Sequence, residues 1–314
     1  MYRFVSTKIP VKLKNDYLRE YNVPLLQKKL DKLMNTYPEI KNSLPNDISA
    51  RKLLIANFKY LTKIYCAFVG YLNGKSSDER KEILAKFVEY GFKYDSHKGK
   101  IARFLLNPAN GFEIHNCVYC DLEQVAGFNK ADGQRVRKFE TEHVLDKGEC
   151  PLVALSLYNF VPSCGTCNSP DIKGTKTMGD KEAEIAKLSP TSDGYDFSEQ
   201  VSFEVHMINP IANDLDALKH PNDYEVEFNV RKTLYKKSIT LFELKARYNN
   251  LTEKTELLKW RDKRRSNPDN IVKQFADIKK VTFEEMFEEM FELTIRREGH
   301  YTMEKARREV MLMF

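Results

Sequence analysis

Two pairs of cysteines constrain this chain more than any other feature: Cys117-Val-Tyr-Cys120 and Cys164-Gly-Thr-Cys167. Each CxxC turn presents two sulfurs at one short separation, and two such knuckles close a tetrahedral zinc site of four thiolates. A zinc held this way is a staple rather than a catalyst, because four sulfurs leave no coordination position open for water or substrate. A redox role is the other reading of a CxxC. The Asn-Lys tail after the second pair and the presence of two pairs favour zinc. Cys66, in an apolar helical run, reads as a small core residue, and Cys150, beside Pro151, reads as a free thiol. Any chemistry is then expected between the knuckles and just past the second, where His143, Asn159 and Asn168 occur in order.

Composition sets outer bounds. A chain of 314 residues with 42% hydrophobic content is long enough for two or three domains and a large core. No run approaches eighteen apolar residues, and Met1-Tyr2-Arg3-Phe4-Val5 lacks a secretory pattern, so no membrane contact and a cytoplasmic location are expected. The net charge of +6, from 51 basic and 45 acidic residues, is a modest argument for nucleic acid. Its distribution says more. Lys130, Arg135, Arg137 and Lys138 precede His143, and Lys259, Arg261, Lys263, Arg264 and Arg265 surround the single tryptophan, Trp260. Such clusters serve either as solvated faces or as phosphate contacts.

The chain reads as three parts: a helical region over 1–106, a central module over 107–180, and a mixed, then helical, region over 181–314. In the first, Asp47 is a plausible cap for one long helix carrying Leu54, Phe58, Leu61, Tyr65, Phe68 and Leu72 and stopping before Gly74. Ser76 and Glu79 form a capping box for a helix ending at Gly91. The Asn107-Pro108-Ala109-Asn110-Gly111 turn marks the boundary to the central module, and a short helix is expected after Asn168. Val201–Met207 and Tyr224–Val230 read as strands. Thr282 caps a helix with Phe283, Met286, Phe287, Met290 and Phe291 on one face, either core or a docking face for a partner.

The segments Glu142-His143-Val144, Leu157-Tyr158-Asn159-Phe160-Val161-Pro162-Ser163-Cys164 and Cys167-Asn168, followed by Lys173-Gly174, resemble the HNH endonucleases of the ββα-metal superfamily. With Pro151-Leu152-Val153-Ala154-Leu155, they look most like the HNH nuclease subunits of Septu-type and retron-linked anti-phage systems. The resemblance covers residues 110–180. It implies an α+β fold, with a central zinc-stapled ββα-metal HNH module between helical flanks. It also implies a role for Asn159 in pinning the loop that carries His143, and an ATPase partner of the ABC or SMC type.

The residues carry their own chemistry beside that resemblance. Phosphodiester hydrolysis needs an activated water and a cation to offset transition-state charge. An imidazole such as His143 works as general base in its neutral form. Glu142 and Asn168 offer hard oxygens suited to Mg²⁺ or Mn²⁺, with Glu140 and Asp146 as rival carboxylates for Glu142, and Asn168 equally readable as a helix N-cap. Lys173, Arg135, Arg137 and Lys138 are candidates to meet nucleic-acid phosphates. His97, His115, His206, His220 and His300 read as structural. The expectation is a metal-dependent endonuclease, with DNA favoured as substrate. The alternatives are an RNA-cleaving (for example tRNA-cleaving) nuclease and a non-catalytic zinc-knuckle subunit that binds nucleic acid or a partner.

Overall fold

The computed structural model describes residues 9–90, 92–112, 114–132, 135–208, 218–293 and 301–312. The chain is mixed helix and small antiparallel sheets, as an α+β reading requires. Its described residues pack as two units, one of His115–Gln124 and the chain from Asp196 on, the other of the chain up to Ile114 and Val125–Tyr195. Residues 107–111 do turn the chain, through a 3₁₀ turn at Pro108–Asn110 and a left-handed Gly111, but Asn110 Nδ2 donates to Phe104 O at 2.8 Å and keeps the turn on the helix before it.

The unit that carries His143 begins with helices, among them Val11–Arg19, Val23–Thr36, Ala50–Ile55, Phe58–Asn73 and Ser77–Glu89. The single long helix expected from Asp47 is two helices. Asn57 is extended and accepts the Tyr60 amide through its side chain, which caps a new helix and ends the old one, while Ser49 rather than Asp47 caps the first. Asp47 instead pairs with Lys52 and accepts from the Tyr60 hydroxyl. The Ser76–Glu79 capping box is present, and Gly91 lies outside the described residues. Leu61, Ile64, Phe68, Leu72 and Phe87 close the core of this helical layer without exposure, with Phe68 edge-on to Phe87 at 5.0 Å.

Short strands complete this unit. Strand β1 (Phe128–Asn129) pairs with β2 (Arg135–Val136), and β3 (Glu140–His143) pairs antiparallel with β4 (Phe160–Ser163), setting His143 opposite Phe160 and Glu142 opposite Val161. The loop between β3 and β4 lies on the helices: Tyr17 Oη donates to Leu155 O at 2.8 Å, Ser156 Oγ donates to Leu53 O, and Arg80 pairs with Glu149. The N-terminal helices are therefore a platform for that loop.

In the other unit, β5 (Val201–Met207) and β6 (Tyr224–Val230) pair in register along their whole length. Alternation puts Val201, Phe203, Tyr224 and Val226 inward, against Tyr248. Helices Leu251–Ser266, Asp269–Lys279, Phe283–Phe291 and Glu304–Leu312 follow. The aromatic and methionine stripe faces in: Met286 and Phe291 join Trp260, Val272, Ala276, Leu293 and Met311, with Phe283, Phe287 and Met290 packed against them. Among the described residues, no helix is long and apolar enough to cross a membrane.

Candidate functional site

The sulfurs of Cys117, Cys120, Cys164 and Cys167 all lie within 4.8 Å of one another, and all four residues are buried. That donor set fits zinc, since a tetrahedron with Zn–S of about 2.3 Å places its sulfurs a little under ~4 Å apart. Backbone amides already turn toward the sulfurs. Leu122 N lies 3.5 Å from Cys120 Sγ, Cys167 N lies 3.4 Å from Cys164 Sγ, and Arg247 Nη2 lies 3.4 Å from Cys120 Sγ. Donors of this kind favour the thiolate that a metal needs. The first knuckle is held rigidly: Tyr119 stacks on Phe242 at 4.2 Å, and Tyr248 Oη donates to Cys120 O at 2.7 Å. Cys150 lies outside this group and is fully buried, which pushes its thiol well above the ordinary range.

His143 ends β3, and its ring is buried, with 5% of the residue exposed. Its Nε2–H donates to the Ala154 carbonyl at 3.0 Å, which leaves the lone pair on Nδ1. Burial, with Lys147 and Lys173 nearby, drives its pKa down to about 3, so the imidazole is neutral across the physiological range. The loop that receives this hydrogen bond is fixed by Asn159. Its Oδ1 accepts from Leu145 N at 2.7 Å, and its Nδ2 donates to Leu145 O and Val153 O, both at 3.0 Å. One amide thus satisfies three buried backbone groups that the loop would otherwise orphan.

Glu142 and Lys173 are brought together in a way the residue order does not disclose. Lys173 Nζ sits 3.0 Å from Glu142 Oε1 and donates to the His143 carbonyl at 3.2 Å, with the lysine side chain at 0% exposure. Lys173 is therefore not a surface charge waiting for a phosphate. It braces the end of β3, and Gly174, at φ +45° with Pro170 O only 2.9 Å from where a Cβ would stand, makes the tight turn that aims it inward. Burial pushes the Glu142 carboxyl above the usual range, against the pull of Lys173. The donor set offered to a hard divalent cation is correspondingly short. Glu142 already has a cation, and among the described residues the four cysteines are the only group of three or more His, Cys, Asp or Glu donors gathered closely.

Asn168 is half-buried and closes a single-turn helix, Gly165–Asn168, for which Cys164 is the N-cap. The helix expected after Asn168 instead precedes it, so the N-cap reading of Asn168 falls. The reason is Cys164, whose extended backbone and sulfur begin the turn within the knuckle itself. Hairpin β3–β4 followed by this helix gives a ββα order. The basic residues before His143 divide. Arg137 is half-exposed, its Nη1 3.1 Å from Thr141 Oγ1, and Lys138 is exposed. Arg135 pairs with Asn129 across β1–β2, and its side chain lies outside the described residues, as does His300. Around Trp260 the charges are largely spent within the chain: Arg261 pairs with Asp262, Arg264 with Asp269, and Lys263 lies over the indole at 4.5 Å.

Two residues at this site carry no signal in the sequence. Tyr94, in the 3₁₀ turn Tyr94–Ser96, sets its ring edge-on to His143 with centroids 4.5 Å apart, and Lys147 Nζ lies 5.2 Å from the centre of the same ring. Phe160 flanks the imidazole on another side at 4.9 Å. A lone tyrosine in a loop far upstream and a lysine in a polar run look like any others.

No protein-family model matches the chain, and no curated protein or solved structure matches it either. A functional reading rests on these residues and their geometry.

Proposed function

We propose that this chain is an HNH-type endonuclease that hydrolyses phosphodiester bonds of nucleic acid, DNA foremost, with His143 as general base and the four cysteines as its zinc staple. The observation that carries the reading is the fixed imidazole, with Nε2 tied to Ala154 and Nδ1 left as the basic atom. The ring has its tautomer set by a loop that Asn159 holds at three backbone groups. In the reaction Nδ1 takes a proton from water, the water oxygen bonds to phosphorus, and the P–O3′ bond breaks. O3′ then takes a proton from solvent and the imidazolium returns one, leaving a 5′-phosphate and a 3′-hydroxyl. Asn159 is a positioning residue.

Mg²⁺ or Mn²⁺ is the cation the resemblance brings, and when bound it would offset charge on the phosphate. Glu142 and Asn168 are the residues that would hold it, with Lys173 first releasing Glu142; no step above depends on it. An ABC- or SMC-type ATPase as partner, and service in anti-phage defence, belong to the same proposal. The stripe at Phe283–Phe291 packs on the chain's own core, with Phe283, Phe287 and Met290 partly buried.

The test is purified, zinc-loaded protein incubated with plasmid and with total RNA, in Mg²⁺, Mn²⁺ and neither, alone and with the product of the neighbouring gene. Cleavage leaving 5′-phosphate ends is expected, with plasmid cut in preference. RNA cleavage alone would move the substrate, and binding without cleavage under every condition would make the chain a zinc-knuckle binding protein.

A further inference from the structure

The groups gathered over His143 do more than bury it. Tyr94 covers the imidazole, its hydroxyl beside Thr141 and Arg137, and those two neighbours oppose the rise that burial imposes on the phenol. Arg137 Nη1 lies 3.1 Å from Thr141 Oγ1, and its nearest carboxylate, Glu140, is 4.0 Å away. Lys147 lies over the Tyr94 ring and, among the described residues, has no carboxylate within ion-pair distance. A guanidinium and a hydroxyl thus meet at the phenol oxygen, and an ammonium lies over the same ring, which stands against the imidazole. That is the donor set of a phosphate site, and a phenol fills it. The phenol also occupies one side of the imidazole whose Nδ1 must reach water. It stands on a single 3₁₀ turn with no side-chain cap.

Resting on the nuclease reading of this site, we propose that Tyr94 holds the place of a substrate phosphate. In the free protein its ring closes His143, and a backbone phosphate of nucleic acid displaces it to take Arg137, Thr141 and Lys147. The inference adds two residues to the site: Lys147 as a phosphate contact and Tyr94 as the cover. It also divides labour among the lysines, since Lys173 braces from below while Lys147 meets the ligand.

Carbethoxylation of His143 with diethyl pyrocarbonate, followed by peptide mass spectrometry on the full zinc-loaded chain, reads the cover without requiring turnover. Tyr94→Ala should raise the rate of His143 modification about tenfold or more over wild type, and Tyr94→Phe should leave it low, because the ring rather than the hydroxyl excludes reagent. A 20-base-pair DNA duplex or a 20-nucleotide RNA, added in Ca²⁺, should restore protection in Tyr94→Ala, and Lys147→Ala in that background should abolish the restored protection. An unchanged rate in folded Tyr94→Ala overturns the cover. A raised rate that neither nucleic acid lowers overturns the phosphate site. Should Tyr94→Ala not fold, Lys147→Ala alone decides: duplex binding by fluorescence anisotropy should weaken about tenfold, and unchanged affinity overturns the contact. Failure of the nuclease reading looks different, with His143 covered and re-protected as described but no strand ever cut.

Discussion

At the cysteine cluster four buried sulfurs crowd within 4.8 Å of one another, whereas beside His143 a buried carboxylate and a buried ammonium already face each other at 3.0 Å. The first region concentrates the charge of four thiolates as soon as they ionise, against one guanidinium of the chain, Arg247, so most of the balance must come from a cation from outside. The second balances itself: Lys173 neutralises Glu142, and the imidazole carries no charge. Burial is common to both, so burial does not by itself say whether a site needs metal to stand. The electrostatic sum within the chain says it. One region should collapse without metal, and the other should hold its shape and lose only chemistry.

Removing the metal breaks that comparison most forcefully. Cys117→Ser, or a strong chelator, should unfold the knuckles, since structural zinc contributes about 10–16 kcal/mol in comparable sites. Elemental analysis should find one zinc per chain, and Cys150→Ser should leave that content unchanged; soluble, folded protein without zinc would contradict the contrast. Next in size is the ion pair. Lys173→Ala should cost about 3–5 kcal/mol in denaturant unfolding, because it strands a buried carboxylate, while the double change Glu142→Leu with Lys173→Met should lie near wild type. A double variant as unstable as the single one would mean that the pair holds more than its own charges.

Asn159→Ala sharpens the comparison on a smaller scale. It orphans three backbone groups at roughly 1–3 kcal/mol each, so a loss of about 3 kcal/mol is expected, with zinc content untouched. Acid gives the last and mildest probe. The folded-state pKa of His143, near 3, lies below its ordinary value, so its neutral form supports the fold above about pH 6.5, and this support is lost as pH falls toward 3. Glu142 acts oppositely: its raised pKa costs stability as pH rises through the carboxylate range. Lys147, Lys173 and Tyr94 also face this pocket. His143→Gln should therefore flatten the fall in melting temperature between pH 6.5 and 4; an unchanged slope would place that acid sensitivity elsewhere.

How much of this was legible in the residues follows from what fixes each contact. Spacing fixes the knuckles, and period-two alternation fixes β5 and β6, so both stand in the sequence as written. Capping signals were readable at Ser76 and Thr282 but ambiguous near Asp47, where Ser49 and Asn57 offer better caps at nearby positions. Sequence reports the charge of Lys173 but not its direction, which the turn at Gly174 sets. The partnership of Tyr94 with His143 depends on how the helical platform meets the β3–β4 loop, a long-range fact with no local signature. A turn-rich stretch such as 107–111 likewise looks alike whether it separates units or folds back on the helix before it, as Asn110 does here.

The most direct test of the account sets wild type against His143→Ala with one labelled DNA duplex, both proteins checked for equal zinc content, melting temperature and duplex affinity. The account predicts cleavage by wild type and none by His143→Ala in Mg²⁺ or Mn²⁺ at any concentration, because the base is needed only when water gives up its proton. Cleavage retained by His143→Ala would contradict it and move the chemistry away from this pocket.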